Sequence, residues 1–174
     1  MNLQKGVSMI ELVIVLIIII LIASFSVYTG NVAIEQASLT EVYSEILSIK
    51  SAVNDVNMKR SLSDDFDFDS YLGEMYDRKI GDMSKAEYES MSGIMVSDIT
   101  FDYLKDSYII FGMDNMDNYK NSEVRKYYGL ESIKHSYVVN FEESRVDLLK
   151  SVKIANQNVR TFEQIRALVD EGGV

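Results

Sequence analysis

Apolar side chains fill residues 7–27 of this chain, broken only by Ser8, Glu11, Ser24 and Ser26. At 1.5 Å per helical residue that run reaches ~31 Å, enough for one helix to cross a bilayer. Beyond it the pattern becomes periodic. Leu39, Val42, Ile46, Ile49, Val53 and Val56 recur at spacings of three and four, which predicts an amphipathic helix with one buried stripe. Glu35, Glu41, Glu45, Lys50 and Asp55 are assigned to the other faces. If unbroken from about residue 7 to residue 58, the helix is roughly 78 Å long; a two-helix hairpin gives the same periodicity.

After Arg60 the stripe gives way to Ser61-Leu62-Ser63-Asp64-Asp65-Phe66-Asp67-Phe68-Asp69, where turn formers and acids end the helix. Asp65, Asp67 and Asp69 have the beginnings of calcium-loop spacing. An EF-hand needs glycine at its sixth position and glutamate at its twelfth, and Ser70 and Tyr76 stand there, so the run reads as a capping or solvated segment. Asp114-Asn115-Met116-Asp117-Asn118 reads as a loop. Between residues 69 and 92, Tyr71, Leu72, Met75, Tyr76, Met83, Tyr88 and Met91 predict one or two short helices with these as core or lid residues.

Short runs rich in β-branched and aromatic residues predict strands at 99–103, 108–112, 137–141 and 146–149, with residues 142–145 as a hairpin connection between the last two. Residues 121–129 suit a short helix ended by Gly129. Thr161 and Gln164 have capping-box spacing, so a final helix begins there, buries Phe162, Ile165, Leu168 and Val169, and stops at Gly172-Gly173.

The lone acid in the apolar run changes the picture most. An ionised carboxylate on a spanning helix costs roughly 2.5–3.5 kcal/mol on insertion scales. No Lys, Arg or His lies between Gly6 and Lys50, so Glu11 has no cationic partner on its own helix. Cleavage after Gly6 would create one, the α-amino group of Val7, in the same layer of a stack of identical helices.

With those residues in view, Gly6-Val7-Ser8-Met9-Ile10-Glu11-Leu12 resembles the class III leader and N-terminal segment of type IV pilins and pseudopilins. The resemblance covers about the first 30 residues. It implies that a membrane aspartyl peptidase cuts between Gly6 and Val7 and N-methylates Val7, and that Glu11 is the acid of the assembly pair. Two features depart from the family pattern: Val7 stands where phenylalanine is usual, and the customary proline late in the first helix is missing from a chain without any proline. Gly30 lies near that point.

The resulting expectation is an α+β protein, in which a long N-terminal helix with a transmembrane and an amphipathic half packs on a small antiparallel β-sheet with a short C-terminal helix. Its organisation would be a leader over 1–6, a transmembrane and assembly helix over 7–30, its amphipathic continuation over 31–60, a variable connecting region over 61–98, and the sheet with its final helix over 99–174. The implied function is that of a structural subunit, a minor pilin more than a major one. Its partners would be other pilin subunits in a homo- or hetero-filament, the prepilin peptidase and methyltransferase, the pilus assembly machinery, and the membrane before assembly. A pseudopilin of a type II secretion or competence system, and a monomeric membrane-anchored binding protein, remain alternatives. So do an ordinary cleaved signal, with Ala23-Ser24-Phe25-Ser26 as its small-residue site, and a plain single-span anchor.

Composition narrows this further. The chain has 174 residues and a formal charge of −10; loss of Lys5 with the leader leaves 16 basic against 27 acidic residues, a sum of −11. Such a surface repels phosphate backbones, so nucleic acid is not the default partner, and Arg125, Lys126, Lys134 and His135 read as scattered solvated charge. There is no cysteine and hence no disulfide, which departs from many Gram-negative pilins and suits Gram-positive or anaerobic relatives. Lys5 keeps the leader inside and the acidic bulk goes out. One histidine, no glycine-rich phosphate loop and no metal spacing leave no basis for a catalytic centre, a cofactor or a metal site; His135 is assigned to an ordinary surface or turn position.

Overall fold

A computed structural model describes residues 9–63, 66–115, 117–154 and 156–172, with the backbone alone at residues 9–11, 25, 27, 28, 30, 31 and 172. Gly6, Val7 and Asp65 lie outside the described residues. The chain divides into two compact units, residues 1–37 and 38–174. Helix α1, Met9–Leu62, contributes its first part to one and its second part to the other.

In the first unit the described chain is helix alone. Among the described residues no helix is long and apolar enough to cross a membrane.

The second unit mixes helices with antiparallel sheet. Its strands are β1 (Arg78–Lys79), β2 (Tyr108–Ile110), β3 (Tyr137–Asn140), β4 (Arg145–Leu148), β5 (Val152–Ile154) and β6 (Gln157–Val159). The first four form one sheet in the order β1-β2-β3-β4, and β5 and β6 pair as a separate hairpin. Tyr108 faces Val139 across β2 and β3, and Tyr137 faces Leu148 across β3 and β4. The helices are α2 (Phe68–Met75), α3 (Lys85–Ser92), α4 (Asp98–Leu104), α5 (Glu123–Tyr127) and α6 (Phe162–Gly172).

Alternation along the strands gives the sheet two buried faces. Ile110, Tyr137, Val139, Phe141, Val146 and Leu148 share one core with Leu39, Val42, Ile46, Ile49, Val53 and Val56 of α1. Ile109, Phe111 and Val138 point the other way, into a second core with Ile80, Met83, Tyr88, Phe101 and Leu104. Every stripe residue that the periodicity of α1 selects is therefore buried.

Local signals set most helix boundaries. Asp67 caps α2 by accepting from Ser70 N–H (3.1 Å), Ser84 caps α3, and Ser122 caps α5. Gly129, at φ +67°, follows α5 in the left-handed conformation that glycine tolerates best. The capping box of α6 forms in full: Gln164 N–H donates to Thr161 Oγ1 (3.3 Å), and Thr161 N–H donates to Gln164 Oε1 (3.1 Å).

Three features correct the sequence reading. Residues 99–103 are helix rather than strand, because Ser97 caps α4 by accepting from Thr100 N–H (3.1 Å) and Phe101 and Leu104 supply its buried side. The sheet instead gains β1, a two-residue edge strand held by Ile109 and Tyr108. The hairpin of β5 and β6, with Asn156 at φ +60° in its turn, has no counterpart among the predicted strands.

Candidate functional site

Of the residues that the sequence singles out, Gly6 and Val7 fall outside the described chain. Glu11 lies within α1, its side chain likewise outside what is described. The neighbouring surface is described. From Leu12 to Ile22 every side chain is large and apolar, and each is between 49% and 64% exposed. Apolar side chains thus stand on every face of this part of α1. After this stretch Ser24 Oγ donates to Ile20 O (2.8 Å) and Ser26 Oγ to Ile22 O (2.9 Å), bonds made back within the helix.

In the second unit, polar chemistry concentrates at two buried carboxylates. Glu45 sits on α1 between Val42 and Ile49 and is only 8% exposed, a correction to its assignment off the stripe. Its Oε1 accepts from Lys134 N–H (2.6 Å), and its Oε2 accepts from Tyr137 O–H (2.6 Å) and faces His135 Nδ1 at 3.0 Å. The chain before β3 presents these donors because residues 112–115 clip onto it. Met113 N–H donates to Ile133 O (2.9 Å), Asp114 N–H to Lys134 O (2.8 Å), and Ser136 Oγ to Asp114 Oδ1 (2.6 Å). Only glycine fits at position 112, since a Cβ there would lie 2.3 Å from His135 O. His135 thus stands at a bend before β3, as a turn position, but its ring is partly enclosed and bonded to Glu45.

Burial pushes the Glu45 carboxyl up, yet His135, Lys134 N–H and Tyr137 O–H together outweigh it and hold the group below its usual 4.5. The hydrogen bond to Glu45 raises His135 above its usual 6.5 against the pull of burial. The Glu45 contribution to stability is present above 4.5 and lost as pH falls through its depressed folded value. The His135 contribution is present below 6.5 and lost as pH rises through its elevated folded value. Stability from this pair is therefore greatest between about 4.5 and about 6.5. Thermal melts across pH should show a decline of about 1 kcal/mol on the alkaline side; His135→Asn should remove that decline, and an unchanged alkaline limb would refute the assignment.

The second carboxylate is Asp77, which follows α2. Arg125, on α5, is fully buried, another correction to its reading as solvated charge, and the Asp77 side chain is 4% exposed. Arg125 Nη2 pairs with Asp77 Oδ2, Nε donates to Met75 O (2.9 Å) and Nη1 to Phe111 O (3.3 Å), while Phe111 N–H donates to the same Asp77 oxygen (2.6 Å). One guanidinium thus ties together the end of α2, the exit of β2 and α5. Burial pushes Asp77 up despite these donors. No signal local to Arg125 announces this role, because its partner lies 48 residues earlier.

A third cluster surrounds Lys59, whose Nζ lies 2.9 Å from Asp55 and within 5.5 Å of the ring centres of Tyr71, Tyr127 and Tyr128. This cage closes on the protein's own ammonium. Among the described residues no group of three or more His, Cys, Asp or Glu side chains is placed to hold a metal ion. Compared with protein-family models, with curated proteins and with solved structures, the chain finds no match in any of the three.

Proposed function

We propose that this chain is a subunit of a type IV filament, a minor pilin in kind, made as a single-pass membrane precursor and assembled on the outside of the cell through the first part of α1. The observation that carries the reading is the belt at residues 12–22, where every side chain is apolar and about half exposed or more. Such a belt is stable in hydrocarbon or against like helices, not in water. In this reading Gly6 is the processing glycine, Val7 the methylated terminus, and Glu11 the acid that meets a neighbour's amine. The second unit, residues 38–174, forms the surface of the fibre. No step of turnover is involved. Val7 in place of phenylalanine and the absence of proline favour a minor subunit over the major one.

The processing step is the test. Gly6→Val should leave the full-length chain in the membrane, where wild type yields a chain beginning at a methylated Val7. Mass spectrometry of membrane and sheared fractions reads this directly, and an unchanged mature N-terminus in the variant would overturn the cleavage site. Immunogold labelling of sheared fibres then places the subunit along the fibre or at its tip; no labelling at all would favour a pseudopilin or a monomeric anchored protein.

A further inference from the structure

Between β6 and α6, entirely within the second unit, lies a groove of about 200 Å³. That is below the usual range for a site enclosing a whole small molecule. Gln157, Asn158 and Val159 line its strand side. On the other side Gln164, Ala167, Leu168 and Glu171, spaced by three and four, present one face of α6.

The strand side is an open sheet edge at a single residue. Ile154 and Gln157 close the two-residue turn of the hairpin, so the next pair, Lys153 and Asn158, turn their backbone N–H and C=O groups outward. Arg160, two residues further on, turns the same way and is fully engaged. Its C=O accepts from Leu148 N–H (2.8 Å), and its N–H donates to Gln164 Oε1 (2.9 Å). At Asn158 neither backbone group has such a partner among the described residues. A donor and an acceptor set side by side on a strand edge are matched by one residue of an added strand.

The side chains around that edge narrow the occupant. Gln157 and Asn158 carry amides that make no hydrogen bond among the described residues, and Gln164 uses only its Oε1, which accepts from Arg160 and Thr161 N–H. Side-chain amides both donate and accept, as peptide groups do. The one charged side chain in the lining is Glu171. Asp170 beside it pairs with Arg166 (3.8 Å), whereas Glu171 is exposed and makes no ion pair among the described residues.

An anion is repelled by Glu171, and a neutral sugar leaves that charge unanswered. A simple amine meets Glu171 but leaves the strand edge unmatched. An extended peptide with a basic side chain meets both. The extended lysines of this chain are already committed, Lys79 opposite Tyr108 and Lys153 opposite Asn158 itself. A second copy would also bring a further charge of −10 to an acidic groove.

We propose that the groove between β6 and α6 binds an extended, lysine- or arginine-bearing segment of another protein, which pairs with Asn158 as an added strand and sets its cation against Glu171. This site stands on the second unit alone and does not depend on filament assembly.

The test is titration of the ¹⁵N-labelled full chain in detergent micelles, followed by amide shifts. The probe is a pool of acetylated, amidated pentapeptides with lysine fixed at the centre and the flanking positions randomised. Saturable shifts confined to residues 153–159 and 164–171 are expected. The same pool N-methylated at its inner amides, which cannot donate to a strand, should bind at least tenfold more weakly, and so should n-butylamine, which has the ammonium without the backbone. A pool with glutamate at the centre should also be weaker. Glu171→Gln should weaken the lysine pool by about threefold, while Glu131→Gln, an equal change of charge outside the groove, should leave it unchanged. No saturable shift with the lysine pool, shifts elsewhere, equal affinity for any of the three comparison probes, or equal weakening in both variants would each overturn the proposal. So would self-association of the chain that Glu171→Gln reduces, since a second copy would then be the occupant. Both variants alter exposed side chains, retained spectral dispersion confirms that they are folded, and the peptide comparisons need no variant at all.

Discussion

Replacing Arg125 with methionine should cost about 3–5 kcal/mol of stability, among the largest effects of any single change in the second unit. The reason is not that the ion pair is strong. Burying two charges is costly, and a well-packed apolar pair often does as well. The cost comes from what is left behind: Asp77 stays enclosed without its ion-pair partner, and Met75 O and Phe111 O each lose a donor. Asp77→Asn keeps an acceptor for Phe111 N–H while removing the charge, so Asp77→Asn with Arg125→Met should be more stable than Arg125→Met alone. Denaturant melts of the full chain in micelles give all four corners of this cycle. Additive losses would mean that the two side chains act independently, contrary to their geometry.

How much of this could be read in the amino-acid order depends on how local each signal is. The stripe from Leu39 to Val56 is a property of one helix, and burial follows it residue by residue. Thr161 and Gln164 of the capping box are three residues apart, and the predicted connection at residues 142–145 differs from the observed one, 141–144, only in that Arg145 already pairs with Asn140 as the start of β4. Residues 99–103 misled because Ile-Thr-Phe-Asp-Tyr alternates apolar with polar, as a strand does. A better guide was Ser97-Asp98 at a helix start, with Phe101 and Leu104 three apart; Ile99 ends up 84% exposed. Glu45 was legible in principle, since it sits three after Val42 and four before Ile49 on the very stripe that periodicity defines. Its charge argued for the outside, and only the donors at residues 134–137 make its burial tolerable. Arg125 and Asp77 carry no local mark at all. Of the candidate assembly residues, the sequence names the acid and the cleavage site, while the described chain adds the exposed belt that follows them.

On the proposed reading, replacing Glu11 with valine should have effects of opposite sign in the membrane and in the filament. In the membrane, removing the carboxylate relieves an insertion cost of roughly 2.5–3.5 kcal/mol, so the precursor should be held as well as wild type or better. Cleavage after Gly6 should continue, because the scissile bond and its flanking residues are unchanged. In the filament the same substitution leaves the Val7 amine of a neighbouring subunit enclosed among apolar helices without its counter-charge. An uncompensated enclosed charge is worth about 3–5 kcal/mol, and each 1.4 kcal/mol is tenfold in an equilibrium. Incorporation beside wild-type subunits should therefore fall by at least tenfold in sheared fibres, while the membrane pool rises. A plain anchor or an ordinary secreted protein predicts no such split, because neither gives Glu11 a partner to lose. Quantitative immunoblotting of sheared and membrane fractions decides between them: wild-type incorporation of the valine variant would remove the charge pair from the account, and with it the reason for an acid at that depth.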